Sequence, residues 1–207
     1  MTALSLILLA GGKGSRMGAP IPKVFLPIKG KPMILHSFEL FAAMEEIEEI
    51  VVVCPEAERS LFPKKTLFAE PGARRQDSVK NGFLKTTGQR ILIHDGARPY
   101  ITAEDVKRLL VEGGEAAALG SPVKNTIKQI APNGEVIQTL PRETLWEVYT
   151  PQLLSRTLLK EGLITAQGET ALDDVSLAER LGHPVTMVKG RTDNVKITTP
   201  MDLSYEV

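Results

Sequence analysis

Gly11, Gly12, Gly14 and Gly18 follow directly on the apolar run Leu4–Leu9, with Lys13, Arg16 and Lys23 set among them and just beyond. Glycine lets backbone N–H groups approach a ligand closely because no Cβ stands in the way. Cations supply the opposite charge, so the stretch has the chemistry of a phosphate cradle. A second position is Asp95, immediately after the run Ile91–His94 ("ILIH"). In open parallel sheets ligands bind beyond the carboxyl ends of the strands, and a carboxylate there can hold Mg2+, which prefers carboxylate and phosphate oxygens. The same position also suits a carboxylate that caps a turn or pairs with Arg98. His94 reads as a buried, hydrogen-bonded histidine, and His36 and His183 carry no role.

The glycine stretch admits more than one ligand. A dinucleotide fold wants G-x-G-x-x-G, but Gly12-Lys13-Gly14-Ser15-Arg16-Met17 puts Met17 at the last glycine. The second strand also runs into Cys54 and Pro55 before Glu56, with no acidic residue at its end. A Walker A loop needs Gly-Lys-Ser/Thr, which is absent from the chain. A nucleoside triphosphate cradle, in which Arg16 and Lys23 reach the phosphates, meets neither objection. A tight turn carrying solvated cations is the plain alternative.

The elements that hold these residues can be read from periodicity. Leu4–Leu9, Ile50–Cys54, Ile91–His94, Ala116–Leu119 and Val185–Val188 are near-continuous apolar runs, as expected of parallel strands covered on both faces. Helical spacing recurs between them, across Pro32–Glu46 and Asp77–Lys85. It recurs again in Glu104–Glu112, where Thr102 and Asp105 make a capping-box-like start. Alternating strands and helices predict an α/β fold, Rossmann-like, with a mostly parallel sheet and helices on both faces. One stretch interrupts the alternation. Thr126–Ile130 and Glu135–Leu140 are β-prone and flank Asn133-Gly134, a hairpin signal, so an arm is expected to project from the sheet. Helices are expected again over Pro151–Glu161 and Asp173–Leu181, with a closing helix only begun at the C-terminus.

Bulk properties narrow the class. The 207 residues suit one domain, here 1–207, with a protruding arm. Lys+Arg and Asp+Glu are both 25, so no excess of positive charge favours a nucleic-acid track. The single cysteine, Cys54, cannot form an internal disulfide, which fits a reducing, cytoplasmic location. The apolar start lacks a basic leader and gives way at once to the glycines, so neither a signal peptide nor a membrane span is expected.

"LAGGKGSRMG" followed by "PK" resembles the signature of nucleotidylyltransferases that activate sugar phosphates. "PGARRQDSVKNG", "HDGARP", "PVKNTIK", "LWEVYTPQ", "DDVS" and "DNVKITTPMDL" follow in order. Together they resemble the 2-C-methyl-D-erythritol 4-phosphate cytidylyltransferase family of non-mevalonate isoprenoid synthesis, over nearly the whole chain. The fold so implied is that of nucleotide-diphospho-sugar transferases. A ribitol 5-phosphate cytidylyltransferase, or one for another polyol phosphate, shares most of these motifs. A nucleotide-binding regulatory domain without turnover is the reading from another class.

The resemblance implies transfer of CMP from CTP to the phosphate of a polyol phosphate. Such a monoester is largely dianionic at neutral pH, which explains why no Ser-His-Asp or Cys-His set stands out. It implies Arg16, Lys23 and Lys196 as catalytic cations. For CTP it implies Ala10, Gly11, Gly12, Gly14, Gly72, Ala73, Ser78 and Arg98, with Arg75 serving the loop or the phosphates. Asp95, Thr126, Arg142 and Thr150 are implied for the polyol phosphate, and Asp193 joins Asp95 as the candidate for Mg2+. The arm at about 124–147 is implied to reach into a partner, giving a homodimer with exchanged arms whose sites are completed by Thr126 and Arg142. The chain departs from the family pattern at Val24, where glutamine is usual, at Ala73 and at Gly96.

Overall fold

The computed structural model describes residues 3–12, 22–166, 169–199 and 201–202. Strand β1 (Leu4–Leu9) is followed by a small hairpin, β2 (Pro27–Ile28) and β3 (Lys31–Pro32), and then by α1 (Met33–Ala42), β4 (Glu49–Val53) and β5 (Leu67–Ala69). Next come α2 (Arg75–Phe83), β6 (Arg90–Asp95), α3 (Ala103–Glu112) and β7 (Ala116–Pro122). The chain continues through β8 (Ile127–Ile130), β9 (Val136–Leu140), β10 (Trp146–Ser155), α4 (Arg156–Thr165), α5 (Ser176–Arg180) and β11 (Thr186–Lys189). A seven-stranded sheet has the order β11-β7-β10-β6-β1-β4-β5. Within it β10 runs antiparallel to both neighbours, and the remaining pairs are parallel.

The continuous apolar runs are explained by burial on both faces. Leu4, Leu6, Leu8 and Leu92 point to one side, where they pack with Met33, Ile34, Phe38 and Phe41 of α1 and Val106 and Leu109 of α3. Ile7, Leu9, Ile91 and Ile93 point to the other, against Val79 of α2, Leu158 and Leu159 of α4, and Leu177 of α5. Each such side chain contributes roughly 1.5–3 kcal/mol on burial. The expected start of α3 is present: the Thr102 hydroxyl accepts the Asp105 N–H at 3.3 Å.

Beyond the small β2–β3 hairpin, which the sequence reading did not expect, β10 and β5 also differ from expectation. Pro151–Glu161 is not one helix: Pro151 to Ser155 complete β10, and α4 begins at Arg156. The sheet overrides the apparent helical spacing because Leu153 and Leu154 fill the slot between β6 and β7, facing Leu92 and Ala117, and Ile91 and Ala116. Ser155 then accepts the Leu158 N–H at 3.3 Å and starts the helix. The short edge strand β5 is additional, since its three residues form too brief a pattern to read.

The hairpin forms as expected. β8 and β9 pair antiparallel in a sheet of their own, from Ile127 opposite Leu140 to Ile130 opposite Val136. Gly134 has φ +88°, which a side chain at that turn would strain. Ile130, Val136 and Ile137 are left exposed on the arm. Among the described residues no helix is long and apolar enough to cross a membrane. The expected closing helix at the C-terminus falls largely outside the described residues.

Candidate active site

The carboxyl ends of β1 and β6 open into a cleft of about 530 Å3. The segment leaving β1 supplies Gly11 and Gly12, and the turn before α2 supplies Gly72, Ala73, Arg74 and Arg75. Ser78 comes from α2 itself, Asp95 from the end of β6, Lys23 from the first short helical turn, and Lys196 and Thr198 from the segment after β11. Two walls meet too closely for side chains. A Cβ on Gly11 would collide with the Pro71 ring, and one on Gly72 with Asp77 in the first turn of α2. The Ser78 hydroxyl accepts the Gly72 N–H at 2.9 Å and donates to the Arg74 carbonyl at 3.3 Å, so it fastens this turn.

Charges alternate along the floor. Asp174 accepts both Arg75 Nη atoms at 2.7 Å, and Arg75 Nε donates to Asp95 Oδ1 at 3.0 Å. The other Asp95 oxygen accepts Lys196 Nζ at 2.6 Å. Burial alone would raise the Asp95 carboxyl, but Arg75 and Lys196 outweigh it and hold the group well below the usual carboxylate range. Burial pushes the Asp174 carboxyl up, opposed by Arg75. Lys23 Nζ donates to the Ile197 carbonyl at 2.7 Å, beside Lys196. The segment carrying Lys196 is tied down on three further sides. Asn194 Nδ2 donates to Thr150 O at 2.9 Å, Arg98 Nη1 to Asn194 O at 2.6 Å, and Ile197 N–H to Ala97 O at 2.8 Å.

Of the residues expected at the site, the cleft gathers Gly11, Gly12, Lys23, Gly72, Ala73, Ser78, Asp95 and Lys196. Ala10 is buried at the end of β1, its N–H bonded to Val53 O. Arg98 does not line the cleft. Its guanidinium lies 5.1 Å over the Tyr149 ring, and burial pushes its pKa down. Thr150 is buried behind Asp95, with its hydroxyl bonded inward. Thr126 and Arg142 are exposed at the base of the arm, where Arg142 Nη1 reaches the Lys124 carbonyl at 3.2 Å. Arg16 and Gly14, with Lys13, lie outside the described residues.

Asp193 is not brought to Asp95. It ion-pairs with Arg191, whose Nε stands 2.8 Å away, and lines a separate hollow with Arg108 and Lys189. Among the described residues no three His, Cys, Asp or Glu side chains gather as a metal cage. One carboxylate on the floor of the cleft nonetheless fits Mg2+, which keeps waters and takes its other ligands from substrate phosphates. Sequence reasoning gave no role to Asp174 or Asn194. The motifs "DDVS" and "DNVK" mark their positions, but their partners, Arg75 and Thr150, are remote in the chain.

Residues 4–206 match the family model described as IspD: 2-C-methyl-D-erythritol 4-phosphate cytidylyltransferase. The chain belongs to that family. It is thereby an enzyme of the nucleotidyltransferase class. It is 44% identical to the chloroplastic 2-C-methyl-D-erythritol 4-phosphate cytidylyltransferase of Oryza sativa subsp. japonica, over 97% of this chain and 72% of that protein. It is 40% identical to the Chlamydia pneumoniae protein of the same name, over 99% of this chain and 97% of the relative. The solved Francisella tularensis IspD structure superposes with a TM-score of 0.85 at 25% identity, covering 99% of this chain and 98% of that one. The Thermus thermophilus enzyme superposes with a TM-score of 0.78 at 31% identity, covering 98% and 96%.

Proposed function

We propose that this chain transfers CMP from CTP to the phosphate of 2-C-methyl-D-erythritol 4-phosphate, releasing pyrophosphate and forming the CDP-alcohol of isoprenoid precursor synthesis. The observation that carries the reading is the cation set of Lys23, Lys196 and Arg75 with Asp95, the one acidic residue among the described residues that line the cleft, in a protein of this family. A substrate phosphate oxygen attacks the α-phosphorus of CTP; one P–O bond forms as the bond to the β-phosphate oxygen breaks. A phosphate monoester is largely dianionic at neutral pH, so its oxygen needs no general base. His94, the one histidine near the cleft, is buried with both ring nitrogens engaged, consistent with that economy.

The barrier is lowered by charge. Negative charge grows on the α-phosphoryl oxygens and the leaving pyrophosphate, and Lys23 and Lys196 are the cleft cations placed to meet it; the family resemblance gives Arg16 the same role. Losing one such donor costs about 2.7–4 kcal/mol. Mg2+ held by Asp95 would neutralise the triphosphate and polarise its oxygens. Asp95 is the residue that would hold the ion, and Lys196 is its neighbour in the cleft.

The second part of the proposal is a homodimer with exchanged arms. The exposed Ile130, Val136 and Ile137 make the hairpin a surface to be covered, and a two-stranded arm is marginal alone. Arg142 and Thr126 would then serve the partner's cleft, and Arg142 suits bidentate capture of a phosphate. The reduced, buried Cys54 is compatible with a cytoplasmic enzyme. Incubation with CTP, Mg2+ and each acceptor in turn tests the reading. Pyrophosphate is expected with 2-C-methyl-D-erythritol 4-phosphate and far less with ribitol 5-phosphate; the opposite preference would reassign the acceptor.

A further inference from the structure

We propose that Asp202 is a positioning residue for Lys23, acting through the peptide unit between Ile197 and Thr198. This rests on the cytidylyltransferase reading of the cleft. Asp202 lies four positions beyond Thr198, and one of its carboxylate oxygens gathers the intervening turn. Asp202 Oδ2 accepts the Thr198 N–H at 2.7 Å, the Thr199 N–H at 2.8 Å and the Thr198 hydroxyl at 3.0 Å. The Asp202 N–H returns to the Thr199 carbonyl at 3.1 Å. The Thr198 and Thr199 N–H groups hold the Asp202 carboxyl below its usual range, so it is charged at neutral pH. Thr198 lines the cleft with Lys23 and Lys196, whereas Asp202 is not among the lining residues.

The coupling follows from peptide geometry. A trans peptide is planar, and its N–H and C=O point in opposite directions. Fixing the Thr198 N–H on Asp202 therefore aims the Ile197 carbonyl the other way, where it accepts Lys23 Nζ at 2.7 Å. A negative charge on the N–H side also polarises the unit and makes its carbonyl a better acceptor for an ammonium. The residue before this unit is fixed by other means. Ile197 is fully buried, and its own N–H is held by the Ala97 carbonyl at 2.8 Å. Rotation of the plane between Ile197 and Thr198 is the freedom that Asp202 removes. A lysine carries its charge on a flexible four-carbon stem, so the aimed carbonyl is what turns Lys23 into a fixed cation. A carboxylate near the C-terminus thus sets where a cation near the N-terminus stands. A residue that merely capped the turn would make the same three bonds, but its effect would not pass through Lys23.

The test combines chemical labelling with kinetics. Brief acetylation with acetic anhydride, quantified by mass spectrometry, reports how accessible each lysine amine is. Measured against the exposed Lys64, Lys23 should acetylate several-fold faster in Asp202→Ala than in the wild type. The same substitution should lower kcat about 10-fold with the KM for CTP little changed, as expected when a catalytic cation is slightly misplaced. In a Lys23→Ala background it should cost less than about twofold, because the residue it acts through is gone. Asp202→Asn keeps the shape and an acceptor oxygen but loses the charge. It should lie between the wild type and the alanine variant on both readouts, and it decides the matter where the alanine variant fails to fold. Unchanged Lys23 acetylation in both variants, or the same loss of kcat with and without Lys23, would overturn the proposal and leave Asp202 a cap of its turn. An enzyme inert toward every polyol phosphate would sink the cytidylyltransferase reading alone, because Lys23 acetylation is scored without turnover.

Discussion

Asp95 concentrates the chemistry of the cleft. It is buried, it binds two cations through its two oxygens, and it remains ionised because those cations outweigh its desolvation. Lys23 and Lys196 converge beside it, one through the Ile197 carbonyl and one through the carboxylate. If they stabilise the transition state more than the bound substrate, Lys23→Ala and Lys196→Ala should lower kcat by about a hundredfold or more while the KM for CTP rises much less. Steady-state kinetics over a range of CTP concentrations checks this; weaker CTP binding at full kcat would reduce both lysines to ground-state ligands. Asp95→Asn should be severely impaired and should respond less steeply to added Mg2+ than the wild type. The glycines, Lys23, Asp95 and Lys196 were legible in the sequence because each closes or follows a recognisable motif. Asp174 was not, since an acid before a helix reads as a surface residue until Arg75 is seen against it, two bonds at 2.7 Å, from a distant helix.

At the scale of elements, the strands that could be read were those with continuous apolar runs: β1, β4, β6 and β7, covered on both faces, and the edge strand β11, of which Val188 is buried. β10 escaped because its alternating neighbours, Leu153 facing one core and Leu154 the other, also satisfy a helical pattern. Only its slot between β6 and β7 decides the matter. Glu49, at the start of β4, shows how strand ends are pinned: its carboxylate accepts from the Ser5 hydroxyl, the Thr87 N–H and the Gly88 N–H. Burial would raise this carboxyl, but the donors hold it below its usual value. A depressed folded pKa stabilises above the unfolded value and is lost as pH falls. Glu49→Gln should therefore melt lower than the wild type near neutral pH, and the gap should close on acidification below about pH 4. A gap independent of pH in thermal melts would mean that the charge is irrelevant there. The arm makes the other prediction at this scale. Arg142→Ala subunits mixed with Lys23→Ala subunits should regain activity, because one site of each heterodimer would hold both intact residues. No recovery, with subunit exchange demonstrated independently, would assign Arg142 to its own subunit's cleft or remove it from catalysis.

For the whole molecule, the sheet brings the ends of β1 and β6, the turn before α2 and the segment after β11 to one rim, and the cleft lies there. The general architecture was legible as an α/β alternation. The closure of the site was not, because it depends on contacts between residues separated by most of the chain, such as Lys23 with Ile197 and Lys196 with Asp95. Net charge zero leaves this local cationic rim as the feature that selects a phosphate ligand. The account stands or falls on group transfer, which separates it from nucleotide binding alone and from hydrolysis. Phosphorus NMR of one mixture of enzyme, CTP, Mg2+ and 2-C-methyl-D-erythritol 4-phosphate observes all the relevant species together. Pyrophosphate and the diphosphate diester of the CDP-alcohol are predicted to rise in equal amounts as CTP and the monoester disappear. CMP accumulating without the diester, or CTP persisting unchanged in the presence of an enzyme that binds it, would contradict the account.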